Sequence, residues 1–509
     1  MEALDWLVIG VFFLALIGII VWVVRQKQND SADYFLGGRD ATWLAIGASI
    51  FASNIGSEHL IGLAGAGASS GMAMAHWEIQ GWMILILGWV FVPFYTRSMV
   101  YTMPEFLERR YNPQSRTILS VISLVSYVLT KVAVTVYAGG LVFQQVFGIK
   151  ELWGIDFFWI AAIGLVVLTA LYTIFGGMKS VLYTSVLQTP ILLLGSLIIL
   201  VLGFKELGGW DEMMRVCGAV TVNDYGDTMT NLIRSNDDAN FPWLGALIGS
   251  AIIGFWYWCT DQFIVQRVLS GKNEMEARRG TIFGAYLKLL PVFLFLIPGM
   301  IAFALHQKYI GAGGEGFLPM LENGTANADA AFPTLVAKLL PAGVKGLVVC
   351  GILAALMSSL ASLFNSSAML FTIDFYKRFR PQTSEKKLVG IGQVATVVIV
   401  ILGILWIPIM RSVGDVLYTY LQDVQSVLAP GIAAAFLLGI CWKRTSAQGG
   451  MWGLISGMVI GLTRLGAKVY YSNAGEVADS TFKYLFYDMN WLFFCGWMFL
   501  FCIIVVIVV

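Results

Sequence analysis

Charge is scarce in this sequence. Lys, Arg, Asp and Glu make up 12% of its 509 residues while 58% are hydrophobic, against roughly a quarter charged in a soluble domain, which excludes a single water-soluble core. Neither sign dominates: 32 basic and 31 acidic residues leave a formal charge of +1, so no polybasic face argues for nucleic acid or an anionic membrane surface. Histidine is limited to His59, His76 and His306, which are scattered. With no phosphate loop and no nucleophile or metal-ligand spacing, nothing points to an enzyme or an organic cofactor. Of six cysteines, Cys259, Cys350, Cys441, Cys495 and Cys502 fall in or beside apolar runs and Cys217 lies in a long polar loop, so neither a disulfide framework nor a zinc site is spelled out. The start, MEALDWLVIGVFF, lacks a basic stretch and a small-residue cleavage site and is expected to remain as a first span.

What is abundant is apolar length. Runs of about 20 residues, enough for a helix to cross a hydrocarbon layer about 30 Å thick, recur from Leu4 to Val509. Backbone groups in lipid must pair within their own segment, so these runs are helices. Thirteen spans are expected, near residues 4–24, 42–71, 76–95, 117–148, 154–174, 180–203, 242–268, 280–305, 343–376, 388–410, 412–441, 448–470 and 487–509. Basic loops around Arg25 to Arg39, Arg97 to Arg116, Arg267 to Arg279, Lys377 to Lys387 and Lys443 to Arg444 alternate with the spans if the amino terminus lies outside. An acidic stretch over 205–241 then falls on the outer side, as does Asn323-Gly-Thr, a sequon that reads as a chance match.

Two spans carry breaks at corresponding positions. The first reads IFASNIGSEHLIGLAGAGASSG (Ile50 to Gly71) and the second GFWYWCTDQFIVQR (Gly254 to Arg267). Paired interruptions of this kind point to the midplane site of an inverted-repeat transporter. Glycine, alanine and serine also let helices pack closely, but packing does not account for Asn54, Glu58, His59 or Asp261.

Ionised groups at membrane depth cost roughly 2.5 to 3.5 kcal/mol each on insertion scales, so each asks for a role. Glu78 begins the third span, where an interfacial acid beside an aromatic belt is the competing reading. Lys288 lies about eight residues inside its span, roughly 12 Å, partly within reach of snorkelling. The run Leu353 to Phe371 holds Ser358, Ser359, Ser362, Asn365, Ser366 and Ser367. Several of these hydroxyls are expected to bond carbonyls four residues back. The adjacent pair Ser358-Ser359, beside an expected helix break, could offer two hydroxyls to a small hard cation with released carbonyls completing its shell. Gln422, Asp423 and Gln425 add groups that both donate and accept, as the hydroxyls of a neutral polyol require. Trp256, Tyr257 and Trp258 offer ring faces to a sugar, or form an ordinary aromatic cluster.

The segments FASNIGSEHLIGLAG, YTMPEFLERRY, LYTIFGG, WYWCTDQFIVQR, GAYLKLLPVFLFLIPGM, LMSSLASLFNSSAMLFTIDFY and PGIAAAFLLGICWKR resemble the solute:sodium symporters, specifically the sodium/glucose cotransporter branch, from about Asp33 to Arg444. The resemblance implies an all-α polytopic fold of two inverted five-helix repeats with discontinuous first helices and flanking helices. The corresponding boundaries are an extra span and loop over 1–41, a first repeat over 42–204, an external loop over 205–241, a second repeat over 242–444 and extra spans over 445–509. It implies sugar contacts from Asn54, His59, Glu78, Tyr257, Trp258, Lys288 and Gln422, with Tyr257 as an inner gate. Leu63, Trp77 and Tyr418 would close the outer side. A sodium site would use the carbonyls of Ala52, Ile55 and Ala355 with the hydroxyls of Ser358 and Ser359.

The expected function is sodium-coupled symport of a hexose by alternating access in the plasma or inner membrane. Sodium and a sugar or polyol are the partners, and sodium is cargo. Another solute such as an inositol, or a non-transporting sugar sensor, are the competing readings. Three departures matter. Ser185 stands where sugar members often have an Asp tied to a second cation, so one sodium per sugar is expected. Gly254 and Thr419 replace polar or acidic groups near the ligand. Sugar members usually have fourteen spans, so a further carboxy-terminal span is expected beyond Val509.

Overall fold

The computed structural model describes residues 1–26, 30–56, 58–321, 324–413, 417–473 and 479–509; the side chains at 58, 129, 130, 145, 409–413, 417–423, 472 and 473 are not described. Asn323 of the sequon lies outside the described residues. Helices stand where the apolar runs predict them. Among the described residues, nine are long and apolar enough to cross a membrane by length and composition; the other spans are the interrupted or glycine-rich ones. In chain order the thirteen are α1 (Ala3–Val24), the broken α2 (Trp43–Asn54, then Glu58–Leu63 and Ala64–Ser69), α3 (Gly71–Ser98), α4 (Pro113–Ser126, Tyr127–Val132 and Ala133–Phe147), α5 and α6 (together Phe157–Leu207), the broken α7 (Trp243–Thr260, then Gln262–Leu269), α8 (Glu274–Gly311), α9 (Val344–Phe379), α10 (Glu385–Val413), α11 (Leu417–Cys441), α12 (Ala447–Asn473) and α13 (Trp491–Val508). A two-residue hairpin, Glu151–Leu152 with Ile155–Asp156, caps the end of α4 and was not anticipated.

The 51 residues of Phe157–Leu207 would reach about 77 Å as one helix, over twice a bilayer core. Gly177, at φ 52° and ψ −151°, divides them into α5 and α6. Only glycine takes that backbone freely, and an added Cβ would meet the Tyr34 carbonyl at 2.4 Å.

The acid in α1 has a structural use. Asp5 is buried, and its Oδ1 accepts the N–H groups of Gly343 and Gly346 at 2.7 and 2.8 Å. These are donors that the first turn of α9 would otherwise leave unpaired.

Glycines set the closest helix contacts. On the first half of α2, Gly47 faces Gly280 and Gly284 of α8: an added Cβ at Gly47 would lie 2.8 Å from the Gly280 carbonyl, and one at Gly280 2.8 Å from that of Trp43. On the second half, a Cβ at Gly67 would lie 2.2 Å from the Leu296 carbonyl and one at Gly299 2.0 Å from that of Ala64. Small residues thus bring α8 backbone to backbone with both halves of α2. Between the two contacts α8 carries a π-helical turn, Val292–Leu296.

Candidate functional site

Both expected interruptions are present. The first helix of α2 stops at Asn54, and Ile55 turns to extended backbone at φ −79°, ψ 102°. In α7 the helix widens into a π turn over Trp256–Thr260, then Asp261 is extended at φ −74°, ψ 127° before a new helix starts at Gln262. Asp261 accepts the Phe263 N–H at 3.1 Å as that helix's amino-terminal cap.

Side chains from four helices converge on these breaks. Lys288 Nζ lies 2.6 Å from Glu78 Oε2 and 2.7 Å from His59 Nε2, and His59 Nε2 is 3.2 Å from Glu78 Oε1. Asn54 donates from Nδ2 to the Tyr257 hydroxyl at 3.0 Å, while its buried Oδ1 has no partner among the described residues. Tyr257 meets Trp258 edge to face at 4.9 Å, and Lys288 stands 5.7 Å from the Trp258 ring centre. Six residues read from the sequence, Asn54, His59, Glu78, Tyr257, Trp258 and Lys288, therefore form one cluster. Glu78 is buried at 2% exposure and paired with an ammonium, which removes the reading of a free interfacial acid. Leu63 is buried, and Trp77 packs edge to face against Trp491 of α13 at 5.6 Å. The side chains of Tyr418, Thr419, Gln422 and Asp423 lie outside the described residues. This arrangement of a buried ammonium, carboxylate, imidazole and amide supplies both donors and acceptors, which is what a neutral polyhydroxylated solute would engage.

Beside this cluster is a second, oxygen-rich one. Ala52, Ile55, Ala355, Ser358 and Ser359 are all buried. Ser359 donates to the Ser53 carbonyl at 2.8 Å and lies 3.4 Å from the Ile55 carbonyl. A Cβ at Gly56 would come within 2.9 Å of the Ser359 hydroxyl, so the break in α2 is kept bare where it meets α9. The expected helix break beside Ser358-Ser359 is absent: α9 is continuous α-helix from Val344 to Met369, and the free carbonyl beside them comes from α2. Ser362 bonds back to the Ser358 carbonyl at 2.7 Å, the structural use anticipated for part of this run. Ser185 donates to the Val181 carbonyl at 2.6 Å and lies 3.2 Å from the Ser358 hydroxyl.

Two buried charges escaped the sequence reading of the site. Lys131 on α4 pairs with Asp261 at 2.6 Å and stands 4.6 Å from the Tyr257 ring centre; the Tyr127 hydroxyl donates to the same carboxylate. An uninterrupted apolar run around a lone lysine was the available signal. Arg267, counted above among cytoplasmic loop charges, is 1% exposed and donates to Ser53 at 2.8 Å and to Ser49 at 3.2 Å. It belongs to the interior, next to the oxygen-rich cluster.

Comparisons with known proteins place the chain in a family and its fold among solved structures. The model of the sodium:solute symporter family matches residues 34–457. The human sodium/myo-inositol cotransporter 2 is 38% identical over 479 residues, spanning 91% of this chain and 70% of its own. The sodium/glucose cotransporter 2 of Rattus norvegicus is 38% identical over 514 residues, spanning 96% and 75%. In three dimensions, a Na+-coupled sialic acid symporter solved in a substrate-bound outward-open state superposes with a TM-score of 0.79 at 22% identity, covering 100% of this chain and 97% of its own. That likeness carries the fold, two inverted five-helix repeats with discontinuous first helices. The chain belongs to the sodium:solute symporter family.

Proposed function

We propose that this protein is a sodium-driven hexose symporter working by alternating access with one sodium per sugar. The observation that carries the reading is the buried cluster of Asn54, His59 and Tyr257 on the two broken helices with Glu78 of α3 and Lys288 of α8, one residue from Ser359 and its carbonyls. A sugar hydroxyl inserted there donates to Glu78 and accepts from Lys288, and analogues lacking it leave a buried charge unmet. Gln422 completes the sugar site, and Leu63, Trp77 and Tyr418 close it on the outer side. Sodium binds to the carbonyls of Ala52, Ile55 and Ala355 and the hydroxyls of Ser358 and Ser359, an all-oxygen shell suited to a hard cation.

The ion orders the break in α2 that carries Asn54 and His59, so it raises sugar affinity, and by linkage sugar raises sodium affinity equally. Movement of Tyr257 then opens the inner side. We place the first repeat at 42–204 and the second at 242–444, in the plasma or inner membrane with the amino terminus outside. One sodium crossing 100 mV releases about 2.3 kcal/mol and a tenfold gradient about 1.4, enough for roughly 500-fold accumulation.

The second reading, favoured by the myo-inositol transporter among the relatives, is a polyol such as an inositol. Sodium-dependent uptake of labelled glucose in proteoliposomes, with competition by glucose, galactose and myo-inositol, tests both. Competition by myo-inositol alone would replace the hexose, and no concentrative uptake of either would leave a sensor.

A further inference from the structure

A crevice of about 400 Å³ separates α3 from α7 on the side of α3 away from the proposed sugar site. Glu78 and Gly81 face Lys288 of α8, whereas His76 and Gln80, four residues apart on the opposite face, turn toward α7, where a Cβ at Gly254 would lie 2.5 Å from the Gln80 amide oxygen. Four buried polar atoms on its lining residues have no partner among the described residues: His76 Nε2, Gln80 Oε1, Ser250 Oγ and Arg234 Nε. Gln80, Ser250 and Arg234 are 6%, 5% and 4% exposed. Such orphans are costly unless a partner meets them.

Their chemistry is specific. His76 Nδ1 is 2.5 Å from the Ala73 carbonyl, which can only accept, so Nδ1 carries the hydrogen and Nε2 presents a lone pair. Gln80 presents an amide oxygen, Ser250 both donates and accepts, and Arg234 donates. Arg234 is already matched in charge by Asp238 at 3.5 Å. Burial pushes the Asp238 carboxyl up, but the Phe241 N–H, the Asn223 amide, the Asn240 N–H and Arg234 together hold it below its ordinary range. A group filling the crevice must therefore donate as well as accept and needs no charge. Phosphodiester oxygens and a quaternary ammonium offer no donor; hydroxyls do both.

The rim shows where that group comes from. Ile79, Trp82, Trp243 and Leu247 are 43%, 46%, 46% and 64% exposed on apolar spans, and tryptophans of this kind sit at the membrane interface.

We propose that the crevice is a lipid site taking an uncharged, polyhydroxylated head group, with the acyl chains along Ile79, Trp82 and Leu247. The test uses the full chain in nanodiscs of phosphatidylcholine with and without galactosyl diacylglycerol, with retained lipid read by native mass spectrometry after release. Wild type retains the galactolipid selectively, and Gln80→Leu with Ser250→Ala lowers that selectivity about thirtyfold, two lost hydrogen bonds at roughly 1 kcal/mol each. Ser250→Ala alone, which changes one atom at a buried site, lowers it severalfold and covers a failure of the double variant to fold. Equal retention of both lipids by wild type, or unchanged selectivity in the variants, overturns the proposal. So does displacement of the lipid by free galactose, which would make the crevice a site for a soluble polyol.

Discussion

Replacing Lys288 by Met strands a carboxylate. Glu78 and Lys288 are 2% and 4% exposed at their side chains and 2.6 Å apart, and removing one partner of a buried pair costs about 3 to 5 kcal/mol because the other charge stays behind unmet. An unfolding entropy of about 2.1 cal/mol/K per residue over 509 residues is about 1.1 kcal/mol/K, so the midpoint should fall by roughly 3 to 5 °C. His59, 3.2 Å from Glu78, remains as a polar neighbour and places the loss toward the lower end. The paired variant Glu78→Gln with Lys288→Met carries no stranded charge and should regain most of the midpoint, since neutral replacements of buried pairs are often tolerated. Thermal unfolding followed by tryptophan fluorescence in detergent measures both, and uptake in proteoliposomes reads function separately. A single variant as stable as wild type, or a paired variant less stable than the single one, refutes the reasoning. Uptake should be lost in both variants whatever their stability.

The same logic applies to Lys131 and Asp261, 2.6 Å apart: Lys131→Met should lower the midpoint by a similar amount and Lys131→Met with Asp261→Asn should restore most of it, checked by the same melts. Ser359→Ala removes one proposed ion ligand. With interactions to a charge worth about 1.5 to 3 kcal/mol, the sodium concentration for half-maximal uptake should rise about tenfold or more, while loss of the bond to the Ser53 carbonyl lowers the melting midpoint by no more than about 3 °C. With Ser185 lacking a carboxylate, reversal-potential measurements in proteoliposomes should give a sodium-to-sugar ratio near one, and a ratio of two contradicts the assignment. Gly299→Val would drive a side chain into the Ala64 carbonyl, 2.0 Å from an added Cβ; the variant should lose its monodisperse peak in size-exclusion chromatography, whereas Gly311→Val, with open space around it, should keep it.

The spans were legible because hydrocarbon thickness imposes one length on every crossing, and the breaks in α2 and α7 were legible because glycine, asparagine and aspartate sit where an apolar helix has no use for them. Asn54, His59, Glu78 and Lys288 stood out one by one as costly residues at depth. Their mutual pairing did not, since His59 and Lys288 are 229 residues apart and hydropathy carries no partner information. Lys131 was passed over for the related reason that its acid, Asp261, lies 130 residues away on another helix. Arg267 was misplaced because the positive-inside pattern counts basic residues by their position along the chain, and this one turns back into the protein to reach Ser49 and Ser53. Ser358-Ser359 was read as lying beside a break in its own helix. The carbonyl released from helical pairing is real but belongs to α2, a contact that only the packing of α9 against that helix creates.

The two glycine contacts between α2 and α8 lie on either side of the break at Ile55, so α8 acts as a splint across a fracture. The halves of α2 cannot swing apart while both are clamped to one helical span, and the joint can open only as far as the splint itself yields. The π-helical turn at Val292–Leu296, set between the two clamps and a few residues past Lys288, is where it can bend. Any flexing at the break is thereby transmitted to the lysine that faces Glu78, so the angle of α2 and the grip of that pair should change together.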